Sequence, residues 1–283
     1  MILTHNNKVL TYNDKVLHNY TKVTRGVVFS YDFANRDCYP GTGDTVYDLS
    51  GNSRNGTITN NGGYTTANRG GLIFTGDKSV ATGTHINCGT YTMPDNTYTQ
   101  QFMYTWNTTL IGINSADFLM SGNWERLETH LFDFEYLGIQ NKTRIIPAGV
   151  DEDSSDRSND SAVDLLKQSH LNEDYTKKTT LITVVYDRTL APGGYCNIYI
   201  NSKLIEGTDS GYTRLYNVVN GPNFVDLTGA ILNLKIGARN NKENSALDNR
   251  YFFNGTIYQA DFFNVALTEA EVVQNFNYYR NRF

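Results

Sequence analysis

Paired carboxylates are the first chemistry to seek in a chain with 29 acidic residues. Retaining cleavage of a glycosidic bond takes two carboxyl groups about 5–5.5 Å apart. Residues two apart on a strand share a face at about 6–7 Å, so a Glu-x-Asp-x-Glu run is the pattern to look for. Leu131-Phe-Asp133-Phe-Glu135 supplies Asp133 and Glu135 but puts Leu131 where the first Glu should stand. Glu128 and His130 lie nearby and neither restores the spacing, so no catalytic residue is assigned and the chain is not expected to be an enzyme. A Ca²⁺ site collects six to eight oxygens. Asp48 and Asn52 in the Ser-Gly-Asn turn offer some, while an Asp before Ser-Gly also closes an Asx turn on its own backbone, which is the reading preferred here. The acidic run from Asp151 to Asp160 has Asp-x-Asp without the Gly at the sixth position and the Glu at the twelfth that a helix-loop-helix site uses. It reads as a solvated loop, and no cofactor is expected. Sugar recognition wants an aromatic face in a polar loop, with amide or guanidinium groups for the hydroxyls. Ser121-Gly-Asn-Trp124-Glu-Arg126 fits, as does Gly237-Ala-Arg239-Asn-Asn241 after a strand end. Trp124, Arg126, Arg239 and Asn241 are therefore the candidate ligand-binding residues, weighed against a half-buried packing role for Trp124. Trp106, inside an alternating stretch, reads as core.

Those loops need a scaffold. Among the 283 residues the formal charge is −5 and charged side chains are 19%, against about 25% in an ordinary globular chain. The sign argues against a nucleic-acid partner. Aromatics reach 13%, with 20 Tyr and 14 Phe, a composition that favours strands and turns over long helices. No stretch approaches the roughly 18 apolar residues of a membrane helix. The first residues carry no basic region leading into an apolar run, so export by a secretory signal is not expected. Cys38, Cys88 and Cys196 lie too far apart for a CxxC metal pair, leave one odd if two were bridged, and read as reduced core residues.

In Val27-Val-Phe-Ser-Tyr-Asp-Phe, the residues Val27, Phe29, Tyr31 and Phe33 alternate with Val28, Ser30 and Asp32, the period of a strand with one buried face. Gly71–Phe74, Tyr98–Trp106, Thr180–Tyr186, Cys196–Ile200, Leu232–Gly237 and Gly255–Phe263 follow the same logic, with Asn and Gly between them. Such spacing implies a β-sandwich or jelly roll. A weak helix is expected over Ser161–Lys167. A strong one starts at the capping box Thr268-Glu-Ala-Glu271. It carries the stripe Val272, Phe276, Tyr279 and Phe283, with Asn275 and Asn277 facing water. The first 20 residues echo themselves, Thr4-His-Asn-Asn-Lys-Val-Leu then Thr11-Tyr-Asn-Asp-Lys-Val-Leu. Lys8–Tyr12 and Lys15–Tyr20 around Asn13-Asp14 read as a hairpin. It is marginal alone, so it either packs on its own domain or docks on a partner. The domain organisation expected is an arm over 1–24 and one domain over 25–283.

Four stretches resemble the concanavalin-A-like jelly roll, in its laminin-G-like branch. Thr45-Val-Tyr-Asp-Leu-Ser-Gly-Asn-Ser-Arg-Asn-Gly-Thr-Ile is similar to the family's Asp-x-Ser-Gly-Asn turn. Asn197-Ile-Tyr-Ile-Asn-Ser-Lys-Leu-Ile resembles its Tyr-x-Asn-Gly-Lys hairpin, with Ser202 where Gly is usual. Leu234-Lys-Ile-Gly-Ala-Arg resembles its Ile-Gly strand end. Phe253 to Val272 resembles its closing strand and Ala-Leu-Thr-x-x-Glu helix start. The resemblance implies an all-β concanavalin-A-like sandwich over roughly residues 26–280, with an N-terminal hairpin extension and a short C-terminal helix. It hosts lectins, hydrolases and inert modules alike. By analogy with phage surface proteins it implies a non-enzymatic virion protein: a capsid decoration, fibre or tail component assembled in the host cytoplasm. Such a protein would be an oligomer, meeting other virion proteins through the arm and glycans through the jelly roll. A free-standing glycan-binding lectin is the alternative, and a hydrolase the least favoured one.

Overall fold

The computed structural model describes residues 20–77, 82–106, 116–122, 128–133, 142–146, 161–164, 178–189, 195–204, 227–240 and 247–282, and four two-residue strands before residue 17. The principal strands are β1 Val27–Asp32, β2 Thr45–Val46, β3 Gly56–Thr59, β4 Gly71–Phe74, β5 His85–Thr92, β6 Thr97–Trp106, β7 Ala116–Ser121 and β8 Glu128–Asp133. They continue as β9 Lys142–Ile146, β10 Ser161–Asp164, β11 Thr180–Asp187, β12 Tyr195–Ile200, β13 Ile231–Ile236, β14 Ala238–Asn240, β15 Leu247–Phe252 and β16 Gly255–Phe263. The helix α1 spans Glu269–Tyr279.

Two antiparallel sheets form the sandwich. Sheet A runs Lys203–Leu204, β12, β11, β6, β16, then β4 and Tyr64–Thr65, with β1 also pairing with β16. Sheet B runs β10, β9, β8, β7, β13, β5, β3, β2. Alternation places Tyr98, Phe102, Tyr104 and Trp106 of β6 and Leu232, Leu234 and Ile236 of β13 in one core, and Ile257, Ala260 and Phe262 of β16 join them across a register shift in its pairing with β6. Phe29 and Tyr31 of β1 and Phe33 just past its end join them, and so does Val28, because the pairing of β1 with β16 slips by a residue at Val27. The jelly-roll sandwich expected from the motifs is the observed fold. Trp106 is core, as are Cys38 and Cys88, both free thiols.

The outer face of sheet A carries a row of polar side chains across paired positions: Ser30, Asp261, Gln101 and Thr183. All four are buried, because α1 and the segment before β1 lie over this face. Val272 and Tyr279 pack down with Phe263 and Tyr258 respectively. The capping box forms as read, with Thr268 Oγ1 accepting from Glu271 N–H at 3.3 Å and Glu271 Oε2 from Thr268 N–H at 2.8 Å. The helix is turned further than its stripe implies. Asn275 is fully buried and accepts from Val23 N–H at 2.8 Å, while Phe276 is half-buried beside Met103, Leu181, Tyr258 and Tyr279. A polar helix side chain finds a partner here because the strap before β1 presents a main-chain donor. Phe283 lies outside the described residues.

Two further expectations change. Ser161–Asp164 is a strand paired with Lys142–Ile145 and not the start of a helix; pairing in the sheet overrides the local preference. The N-terminal repeat makes two hairpins and not one, Thr4–His5 with Lys8–Val9 and Thr11–Tyr12 with Lys15–Val16. Each copy closes on itself across its own two-residue connection. Within the segment before β1, Val23 lies in an apolar cluster with Phe263 and Val272, and Thr21 O accepts from Gln274 Nε2 at 2.8 Å.

Candidate ligand-facing surface

The outer face of sheet B is covered at one side, where His85 is buried beside Phe252 of β15 and Ser121 against β14, and exposed along its middle. Its middle row pairs Thr45 with Thr57, Thr57 with Asn87, and Asn87 with Lys235. Antiparallel partners share a face, and Thr45, Thr57 and Asn87 are exposed. Along β13 the alternation of Ile231, Asn233 and Lys235 with buried Leu232, Leu234 and Ile236 sets the polar residues outward. On β5 a bulge at Gly89 does the same job. Its φ of 75° accommodates one extra residue, so that Asn87 pairs with Lys235 and Thr90 with Asn233 while Cys88 turns into the core. Asn87 Oδ1 accepts from Lys235 Nζ at 2.9 Å and from Gly89 N–H at 3.1 Å. Partial burial pushes the Lys235 ammonium below its ordinary value. At the end of this face Arg54 lies 4.8 Å from the centre of the Tyr91 ring and donates to Thr90 O at 3.0 Å.

The loop candidates leave the sandwich next to this face. β7 pairs with β13 through Met120–Ile236 and Ser121–Lys235. Ser121 Oγ donates to Ala238 O at 3.0 Å, and Asn240 Nδ2 donates to Gly122 O and, at 2.8 Å, to Asn233 O. The two stretches holding the candidates are thus stitched together where they start. Trp124, Arg126 and Asn241 themselves lie outside the described residues. Arg239 is placed, and it corrects the expectation of a loop: it is the middle residue of β14 and its side chain is fully buried. The turn that makes this possible is Gly237, at φ 80°, where an added Cβ would run into the Phe74 ring. Asn87, Lys235 and Thr57 carry no motif, and the signal that finds them is a polar residue at every second position of an otherwise apolar strand.

The Asp48 carboxylate works as a turn anchor. Oδ1 accepts from Ser30 N–H at 2.9 Å and Ser50 N–H at 2.8 Å, and Oδ2 from Ser50 Oγ at 2.6 Å and Arg54 N–H at 3.1 Å. Asn52 turns its amide to the carbonyls of Val27 and Val28. Among the described residues no three His, Cys, Asp or Glu side chains cluster as metal ligands would, and no helix is long and apolar enough to cross a membrane. Asp133 ends β8, opposite Ala116, and Glu135 lies outside the described residues.

No family model matches the sequence, and no curated protein matches it. Solved structures do. Domain 4 of a GH43 extracellular arabinanase from Geobacillus stearothermophilus, in complex with arabinotriose, is 17% identical with a TM-score of 0.54, over 91% of this chain and 99% of that domain. The receptor-binding domain of a botulinum neurotoxin C/D mosaic serotype is 11% identical with a TM-score of 0.54, over 90% of this chain. This chain spans 52% of that domain. Trypanosoma rangeli sialidase in complex with sialic acid gives 12% identity and a TM-score of 0.50, over 89% of this chain and 32% of that one. At these identities the likeness establishes the β-sandwich fold.

Proposed function

We propose that this chain is a non-catalytic glycan-binding module that uses the outer face of sheet B and the loops at the β7 and β14 ends of it. The observation that carries the reading is the asymmetry of the two sheet faces: one is sealed under a helix, the other offers paired hydroxyl, amide and ammonium groups. Rows of short donors and acceptors spaced by the strand separation of about 4.8 Å suit a flat polyol. With Lys235 as the cation of the middle row and a net charge of −5, a neutral or weakly acidic sugar fits better than a polyanion. Trp124 supplies the aromatic platform and Arg126 and Asn241 further hydroxyl partners. The fold shared with a domain solved with arabinotriose supports the substrate class. Leu131 in place of the first carboxylate supports binding without turnover, and no cofactor enters the reading.

The finer reading is a virion-surface protein that meets neighbouring virion proteins through its N-terminal arm. It is supported by the four jelly-roll motifs and by an arm built of small repeated hairpins. Electron microscopy of particles labelled on this chain tests it, and labelling absent from particles would overturn it. The glycan reading is tested on an array of neutral and sialylated glycans. Retention should be seen with the intact chain and fall about tenfold or more, at an unchanged melting temperature, in Asn87→Ala/Lys235→Ala. Retention of no glycan, or a double variant that binds as well as the parent, rejects it. Release of reducing sugar from laminarin, abolished by Glu135→Gln, would make the chain a hydrolase instead.

A further inference from the structure

The residues just before β1 continue the N-terminal echo. Aligned at the same seven-residue step, His18-Asn-Tyr-Thr-Lys22-Val23-Thr24 is a third copy, reduced to the Lys-Val pair that all three share at 8–9, 15–16 and 22–23. In this third copy the pair is docked. The Lys22 ammonium reaches Ser30 Oγ and the carboxylate of Asp261, which is fully buried on the outer face of sheet A. Burial pushes that carboxyl up and the Lys22 charge draws it back down. Val23 fills a cluster of Val185, Tyr199, Phe263, Leu267 and Val272, and its N–H is held by Asn275. Of the positions that differ between copies, Thr21 offers only its carbonyl, to Gln274, and Thr24 is exposed, while the Tyr20 ring lies under the Arg280 guanidinium at the rim. Lys22 and Val23, the two side chains that fill the socket, are the two that the repeat preserves.

We infer that this socket is an exchange site between copies of the chain, in which Lys15–Val16 from the arm of a second copy replaces the occupant's own Lys22–Val23. Each chain holds one socket and three Lys-Val pairs, so two pairs per chain are surplus to its own needs. The arm pairs are followed by Leu10 and Leu17 where the docked copy has Thr24, so an arm brings more apolar surface than the strap it displaces. In the monomer the arm pairs sit in hairpins of two residue pairs each, which are marginal in water and open at little cost. The socket lies on the face opposite the proposed glycan surface, so the two readings stand or fall separately.

The test uses the full-length chain carrying Lys22→Ala and Val23→Ala, which clears the socket's side-chain positions, and a fluorescent peptide of residues 11–17. Saturable binding is expected, weakened about tenfold or more when the peptide carries Lys15→Ala and Val16→Ala, since removing one partner of a buried charge pair is costly. Absence of binding, or equal binding of the two peptides, overturns the inference. Should the double variant fail to fold, the unaltered chain with a photo-crosslinking residue at position 17 is mixed with its isotope-labelled form. Crosslinks between labelled and unlabelled chains, landing on β11, β16 or α1 and rising with concentration, are expected. Crosslinks within one chain only would mean that the arm slides in its own socket, and crosslinks elsewhere that the repeat has another use; either result overturns the exchange.

Discussion

Glu271 joins two functions in one side chain. It closes the capping box of α1, and its two oxygens accept from Arg25 Nε at 2.8 Å and Nη2 at 2.7 Å, a bidentate pair. The Arg25 hydrogen bonds, ahead of those from Thr268, hold its carboxyl down at about 2. A carboxyl with a depressed folded value contributes stability above its unfolded value of 4.5, and that contribution is lost as pH falls from there to about 2. Glu271→Gln keeps the capping geometry and loses the charge. Its unfolding midpoint should lie below that of the parent at pH 7 and meet it near pH 2, in denaturant titrations across that range. The thiols illustrate the opposite shift. Burial pushes Cys38 and Cys88 each up to about 12, so neither is a thiolate at neutral pH. Iodoacetamide should label both only after denaturation, as read by peptide mass spectrometry; rapid labelling in the native state would mean that the core opens locally.

At the scale of elements, hairpin chemistry makes the sharpest statement. Asn201 and Ser202 join β12 to Lys203–Leu204 and take φ of 50° and 67°, the two left-handed positions of a type I′ turn. Asn201 is suited to this and also accepts from Leu181 N–H at 2.9 Å, whereas Ser202 stands where a glycine would relieve strain. Ser202→Gly should stabilise by up to about 1 kcal/mol in denaturant midpoint; a loss would mean that the Ser side chain has a partner worth more than the backbone strain. For α1, Asn275→Ala leaves Val23 N–H unpaired in a buried site and should cost about 1–3 kcal/mol. Asn277→Ala, whose carbonyl takes only an exposed bond from Arg280, should stay within about 0.5 kcal/mol. Strands such as β13 were legible residue by residue, since their apolar period is the fold's own. The buried face of α1 was not, because the polar row beneath it is assembled from four separate strands, and no periodicity within the helix announces that a buried amide oxygen will meet a main-chain donor. The candidate loops were legible as sugar-like in composition. The adjacency of the strand ends from which they start was not, because it depends on β7 pairing with β13 across more than a hundred residues of sequence, and Arg239 was misplaced because a short strand, β14, follows Gly237 immediately.

On the scale of the molecule, the N-terminal segment divides in two. Residues 20–24 seal sheet A through Lys22, Val23 and the carbonyl of Thr21. Removal of residues 2–19 should therefore leave the melting temperature within about 2 °C of the parent, the response to a few tenths of a kcal/mol. Removal of residues 2–24 strips the charge partner from buried Asp261, the kind of loss that costs about 3–5 kcal/mol. Calorimetry of the two truncations separates them, and equal melting points would place the strap outside the cooperative unit.

The position of β16 carries one more implication, about the order in which the sandwich can be made. This strand, residues 255–263, sits at the centre of sheet A with β6 on one side and β1 and β4 on the other, and Arg282 beyond it reaches Asp32 at 2.7 Å. β1 and β4 therefore wait, with open edges, for a strand made far later in the sequence. Sheet A closes only once β16 has been made, so until then the nascent chain must be kept from pairing those edges with a neighbour's.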